Sequence, residues 1–196
     1  MVSRIDMKRL LIIGAGGHGR TVAEAVLLGQ EYELTAFLDD APDGVQLLGG
    51  IPVWGGTSEL ASCRGQVDAV VVAIGRNALR ETLHAYVAAV GFPLATVVHP
   101  RAIVSPSALI GPGCAVMAGA VIGTQACLAE GAIANCGAVV DHDCLVEAFG
   151  HLGVGACMSG GSALGRGAWL QAGAVLGYGV KVPAGQVLRA GEGITA

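Results

Sequence analysis

From Val104 to Leu188 a large apolar residue recurs at every sixth position, and the register never slips. The fifteen anchors are Val104, Ile110, Val116, Ile122, Leu128, Ala134, Val140, Val146, Leu152, Met158, Leu164, Leu170, Leu176, Val182 and Leu188; only Ala134 is small. Four residues after each anchor the side chain is mostly tiny, as in Cys114, Ala120, Ala126, Ala138, Cys144, Ala156 and Ala168. A helix returns to one face about every 3.6 residues and a strand about every 2, so neither explains the pattern. A period of six predicts a solenoid whose short flat segments stack and bury one side chain each. Gly111, Gly123, Gly153, Gly165 and Gly177 follow their anchors directly and are expected to supply left-handed backbone at the corners.

This repeat resembles the hexapeptide repeat of left-handed parallel β-helices. It accounts for the glycine and alanine excess and splits the chain into an α/β part, 1–98, and a β-helix, 99–196. The cysteines, Cys63, Cys114, Cys127, Cys136, Cys144 and Cys157, form no CxxC pair, and five fall in the repeat. They read as small packing residues. A formal net charge of -4 provides no basic footprint, so nucleic acid and anionic membrane are not expected partners. The apolar stretches are too short to span a bilayer and the N-terminus lacks a signal-peptide pattern, which points to the cytoplasm.

The α/β part opens with an apolar run, Arg9–Ile13, then Gly14-Ala15-Gly16-Gly17-His18-Gly19 and a helical stretch, Arg20–Leu28. Strand, glycine loop and helix together present backbone N–H groups to a phosphate. A second strand, Leu34–Leu38, ends in Asp39-Asp40, where a dinucleotide domain carries its ribose-reading acid. Further elements are expected as an extended Ile51–Trp54, a helix near Thr57–Cys63, a strand Ala69–Ile74, a helix near Ala78–Val90 and a strand Leu94–Val97. That is one small parallel sheet, a Rossmann-like half domain suited to a mononucleotide or nucleotide-sugar. The turn Gly75-Arg76-Asn77 is either a second ligand contact or a plain strand-to-helix turn with Asn77 as N-cap.

Gly14–Gly19 with its histidine, Phe37-Leu38-Asp39-Asp40, Ile74-Gly75-Arg76-Asn77 and the repeat together resemble one family, as do Asn135–Cys144 and Gly150–Gly155. It is the bacterial sugar O/N-acyltransferases, which include UDP-4-amino-sugar N-acetyltransferases and sialic-acid-pathway O-acetyltransferases. The resemblance implies an acetyl-CoA-dependent enzyme without a metal, a homotrimer with its active site between subunits. It implies that His142 is the catalytic base and Asp143 its acidic neighbour. It places His151 near the thioester, and Ala172 and Ala190 against CoA. It assigns the nucleotide-sugar to His18 and the loop glycines Gly16, Gly17 and Gly19, with Asp39 and Asp40 at the uracil end; Gly75 and Asn77 are the candidate contacts if the second turn meets the ligand.

Elementary chemistry agrees about His142. An amine must lose a proton as it attacks a thioester, and imidazole, with an ordinary pKa of about 6.5, is the side chain nearest to that task at neutral pH. An adjacent carboxylate strengthens the base. In coils otherwise built from Gly, Ala and aliphatics, Asn135, Asp141-His142-Asp143, Glu147 and His151 read as one polar cluster. Cys144 occupies a small inward position, so direct transfer is expected over an acyl-cysteine. His84 and His99 read as structural. The same base would serve a sugar hydroxyl, so sialic acid O-acetylation is the enzymatic alternative. A zinc hydratase would need three histidines where the repeat has two. A nucleotide-sugar sensor or trimerising scaffold is the non-enzymatic alternative, kept open because family members continue beyond the last coil where this sequence ends at Gly191–Ala196.

Overall fold

The computed structural model describes residues 7–41 and 50–195. The chain divides into two compact units, Met1–Pro100 and Arg101–Ala196.

The first unit is built on a parallel sheet of β1 (Lys8–Ile13), β2 (Tyr32–Leu38) and β3 (Ala69–Val72), in the order β2-β1-β3. Helix α1 (Gly17–Leu28) follows β1 and helix α2 (Asn77–Val90) follows β3. β1 and β3 are near-continuous apolar runs because a parallel sheet is covered on both faces, and Leu10 to Ile13 and Val70 to Val72 are at most 2% exposed. The expected extended segment Ile51–Trp54 and the start of the expected strand Leu94–Val97 join this sheet through single bridges, Phe37 with Val53 and Val70 with Leu94. Val97–Val98 forms a separate two-residue strand, β4, that is not part of this three-stranded sheet, and Thr57–Cys63 is a 3₁₀ helix. α2 begins at Asn77 with Arg76 in the capping position and no side-chain cap, so Asn77 is not the N-cap. His84 and His99 are buried.

The second unit is a left-handed parallel β-helix of sixteen two-residue strands, β5 (Ile103–Val104) to β20 (Gly193–Ile194), numbered in chain order. Every third strand stacks in one sheet. Sheet I contains β7, β10, β13, β16 and β19; sheet II contains β5, β8, β11, β14, β17 and β20; sheet III contains β6, β9, β12, β15 and β18. Register pairs such as Val139 with Cys157 and Val140 with Met158 show that one coil is eighteen residues. The anchors fill the interior, and those from Val116 to Leu176 are at most 1% exposed. Burial of each large one contributes roughly 1.5–3 kcal/mol. The tiny side chains four residues on, such as Ala120, Ala138, Cys144 and Ala156, are buried at the corners.

The corner glycines work differently from the sequence-based expectation. Left-handed backbone falls three residues after the anchor, at Gly137, Gly155, Gly161 and their equivalents, not at Gly111, Gly123, Gly153, Gly165 or Gly177. The glycine directly after the anchor is needed because coils approach closely there. A Cβ on Gly153 would lie 2.9 Å from the Ala172 nitrogen, and one on Gly123 2.9 Å from the His142 nitrogen.

Among the described residues, no helix is long and apolar enough to cross a membrane.

Candidate functional site

His142 sits on the corner between sheets II and III, in the turn from β11 (Val139–Val140) to β12 (Leu145–Val146). Its ring is about half exposed. Asp143 Oδ2 lies 2.8 Å from Nδ1. A carboxylate only accepts, so Nδ1 carries the proton and the Nε2 lone pair is left available. Asp141 flanks the ring from the other side: Oδ1 accepts the His142 backbone N–H at 2.7 Å, and Oδ2 is 3.9 Å from Nε2. The Asp143 hydrogen bond, then the Asp141 charge, raise the imidazole pKa above its ordinary value. The arrangement is an exposed imidazole whose basicity two carboxylates raise.

Asp143 occupies the left-handed corner position with φ of 58°, where most coils have glycine; Gln125 and Phe149 are the other exceptions. Aspartate tolerates that conformation better than most residues. Cys144 points inward, 1% exposed, with its thiol donating to the Ser159 carbonyl at 3.2 Å, away from the base.

The polar cluster suggested by the sequence is not a cluster in space. Residues six apart occupy successive corners, so only a spacing of eighteen brings side chains together within one chain. Asn135 is on the corner between sheets I and II, where Oδ1 accepts the Cys136 N–H at 2.8 Å. Glu147 is on the corner between sheets III and I, where it accepts the Arg166 N–H at 2.8 Å. His151 begins β13 in sheet I, is 6% exposed, and stacks on Trp169 with ring centroids 5.2 Å apart. Ala172 and Ala190 lie in consecutive coils on the corner between sheets I and II, where the Ala190 N–H donates to Gln171 Oε1 at 3.2 Å. A single chain therefore puts His142 and the residues expected against CoA on different corners.

In the first unit, the four loop glycines divide by what surrounds them. A Cβ on Gly14 would lie 2.9 Å from the Ala73 carbonyl, and one on Gly19 would collide with the Gly14 carbonyl, so both are required by packing. Gly16 and Gly17 are exposed, with nothing within 4 Å of a Cβ. No side chain caps α1, whose N-terminus begins at these residues. The loop thus offers amides at a helix N-terminus to an anion. His18 Nε2 is buried without a hydrogen-bond partner, and burial followed by the Arg80 charge lowers its pKa to about 4. Arg80 itself is fully buried and donates to the Ile74 carbonyl at 2.9 Å, holding the turn that contains Gly75.

Asp39 and Asp40 have structural partners. Asp39 Oδ2 accepts the Ala15 N–H at 2.7 Å and Oδ1 the Ala41 N–H at 2.8 Å, tying β2 to the glycine loop. Asp40 Oδ1 accepts the Thr57 N–H at 2.6 Å. Both line a cavity of about 210 Å³ with Gly14, Ile74, Arg76 and Thr57. It lies at the carboxyl ends of β1, β2 and β3, beside the point where the strand order reverses, which is where open α/β sheets hold ligands.

Sequence reasoning placed Asp141 in the polar cluster without a role of its own, and it missed Thr57 and two residues that share the His142 corner, Gly160 and Tyr178. The signal for the last two was available: they follow His142 by one and two coil lengths.

Residues 9–87 match the family described as the PglD N-terminal domain. UDP-N-acetylbacillosamine N-acetyltransferase from Bacillus subtilis (strain 168) is 32% identical over 106 residues, 52% of this chain and 48% of that protein. The match thus spans about half the length of that curated relative. Among solved structures, a histidine-to-alanine mutant of GDP-perosamine N-acetyl transferase from Caulobacter crescentus, in complex with CoA and GDP-perosamine, is 38% identical. Its TM-score is 0.90, over 94% of this chain and 87% of that one. The acetyltransferase domain of PglB from Neisseria gonorrhoeae FA1090, in complex with acetyl coenzyme A, is 39% identical with a TM-score of 0.74, over 97% of each chain. At this identity and coverage, over a Rossmann-like half domain and a hexapeptide β-helix, the chain belongs to the hexapeptide-repeat sugar N-acetyltransferase family.

Proposed function

We propose that this protein transfers an acetyl group from acetyl-CoA to the amine of a nucleotide-linked amino sugar, of the UDP-4-amino-4,6-dideoxy-sugar type. The observation that carries the reading is the His142 imidazole, exposed on a corner with Nδ1 held by Asp143 and Nε2 available. The amine nitrogen attacks the thioester carbon as its proton passes to His142 Nε2. The C–N bond forms, the C–S bond breaks, and the proton leaves with the CoA thiolate. A general base of this kind typically contributes about 10² to 10⁴ in rate.

The uncapped N-terminus of α1, with Gly16, Gly17, His18 and Gly19, receives the diphosphate. Asp39, Asp40, Gly75 and Asn77, at the ends of β2 and β3, surround the nucleoside. His151, Ala172 and Ala190 serve acetyl-CoA. The separation of His142 from Ala172 and Ala190 within one chain supports a homotrimer in which CoA along one copy meets the base of its neighbour. The cytoplasm is the proposed place of work. The N-acetyltransferase names of the similar proteins support an amine acceptor.

The test is a screen with acetyl-CoA against UDP- and GDP-linked 4-amino sugars, other amino-sugar nucleotides and sialic acids, following thiol release. Release is expected with a nucleotide-linked 4-amino sugar. Release with sialic acids alone would replace the reading by O-acetylation, and binding of nucleotide-sugars without any acetyl-CoA binding in calorimetry would make the protein a sensor.

A further inference from the structure

The corner that carries His142 has two further members, Gly160 and Tyr178, each one coil further on. The repeat does not demand glycine at this corner position, which is Thr124 in the preceding coil and Tyr178 in the following one. Nor does the backbone: Gly161 has φ of 66°, whereas Gly160 is outside the left-handed region. What surrounds Gly160 explains it. A Cβ there would lie 2.5 Å from His142 Cε1, 3.1 Å from Cδ2 and closest of all to Nε2, so all three nearest atoms belong to one imidazole. The ring occupies the space that a side chain at 160 would fill.

Tyr178 closes the other side. Two coils separate it from His142, about 9.6 Å of backbone at ordinary strand spacing. Yet the ring centroids are 6.2 Å apart, tilted by 53°. The two rings lean toward each other over Gly160, although Tyr178 is 70% exposed and free to point elsewhere.

We propose that Gly160 and Tyr178 are positioning residues for His142: Gly160 leaves clear the space that the imidazole occupies, and Tyr178 is the wall that keeps the ring there. This rests on the reading of His142 as general base. Together they fix the ring in the one orientation that keeps Nδ1 on Asp143 while Nε2 meets the attacking amine. Among the described residues, the charged groups facing the ring are Asp141 and Asp143, and the phenol of Tyr178 is a further titratable neighbour.

The experiment compares Gly160→Ala, Tyr178→Ala, Tyr178→Phe and His142→Ala by steady-state kinetics, thermal melting and NMR titration of the His142 imidazole. An added methyl meets a side chain rather than backbone, so Gly160→Ala should melt like the parent. Its kcat should fall at least about tenfold, part of the general-base contribution, with both KM values within about twofold. Its His142 pKa should drop toward the ordinary value as the ring leaves Asp143. Tyr178→Ala should lose kcat in the same direction, and Tyr178→Phe should restore most of it. An unshifted His142 titration and parental kcat in Gly160→Ala would overturn the proposal. Full turnover by His142→Ala would instead overturn the general-base reading, while the titration in Gly160→Ala would still decide whether Gly160 positions the ring.

Discussion

The two units use glycine for different ends. In the β-helix nearly every glycine is dictated by the repeat, either by left-handed backbone three residues after an anchor or by the close approach of the next coil directly after it. The proposed function there rests on departures from the repeat: Asp143 where glycine is usual, and Gly160 where a side chain is allowed. The Gly14–Gly19 loop occurs once and has no repeat to depart from. There the informative residues are the glycines that nothing in the fold requires, Gly16 and Gly17, while Gly14 and Gly19 are consumed by packing.

Substitutions can break this contrast, and the largest expected effect is on a dictated glycine. Gly153→Ala pushes a methyl into the backbone of residues 171–172 and should destabilise the β-helix by about 3 kcal/mol, measured by urea unfolding.

Acid should separate the units next. His18 has its pKa lowered to about 4 in the folded chain, against about 6.5 unfolded. Its contribution is complete above pH 6.5 and is lost as pH falls toward 4, because the unfolded chain then binds the extra proton. The loss should reach roughly 3 kcal/mol in the first unit, and His18→Gln should flatten that part of the stability profile. A first unit equally stable at pH 7.5 and pH 5 would contradict the burial of a neutral imidazole.

Asp143→Gly should release the left-handed strain and raise stability by about 1 kcal/mol, while lowering kcat and moving the acid limb of the pH–rate profile downward. The direction follows from the sign of the shift: Asp143 raises the His142 pKa, so its loss lowers it. The smallest effect on stability should be Gly17→Ala, within about 0.5 kcal/mol. It should nevertheless weaken nucleotide-sugar binding in calorimetry, because the methyl would occupy the open side of the loop where the ligand is proposed to approach. A stability loss as large as that of Gly153→Ala would erase the distinction between dictated and open glycines.

Much of the fold was legible because periodicity is a local property of the chain. The anchors, the buried small residues and the strand–loop–helix order could be read from spacing alone. What spacing six could not reveal was which polar residues meet, since Asn135, Asp141, Glu147 and His151 are neighbours in sequence but are spread over different corners and faces. The relevant interval is eighteen, and it leads from His142 to Gly160 and Tyr178. In the first unit the strand-end acids were legible, but not the hydrogen bonds they accept from the amides of Ala15, Ala41 and Thr57, because Ala15 and Thr57 come from other segments of the chain.

The central claim is that His142 is the base of an acetyl transfer whose acceptor is held mainly by the other unit. The most direct measurement pairs turnover with binding in His142→Ala, using the nucleotide-linked amino sugar that the parent acetylates. The account predicts that thiol release falls by about 10² to 10⁴ while calorimetry returns the parental affinity for the nucleotide-sugar. Near-parental turnover would contradict it.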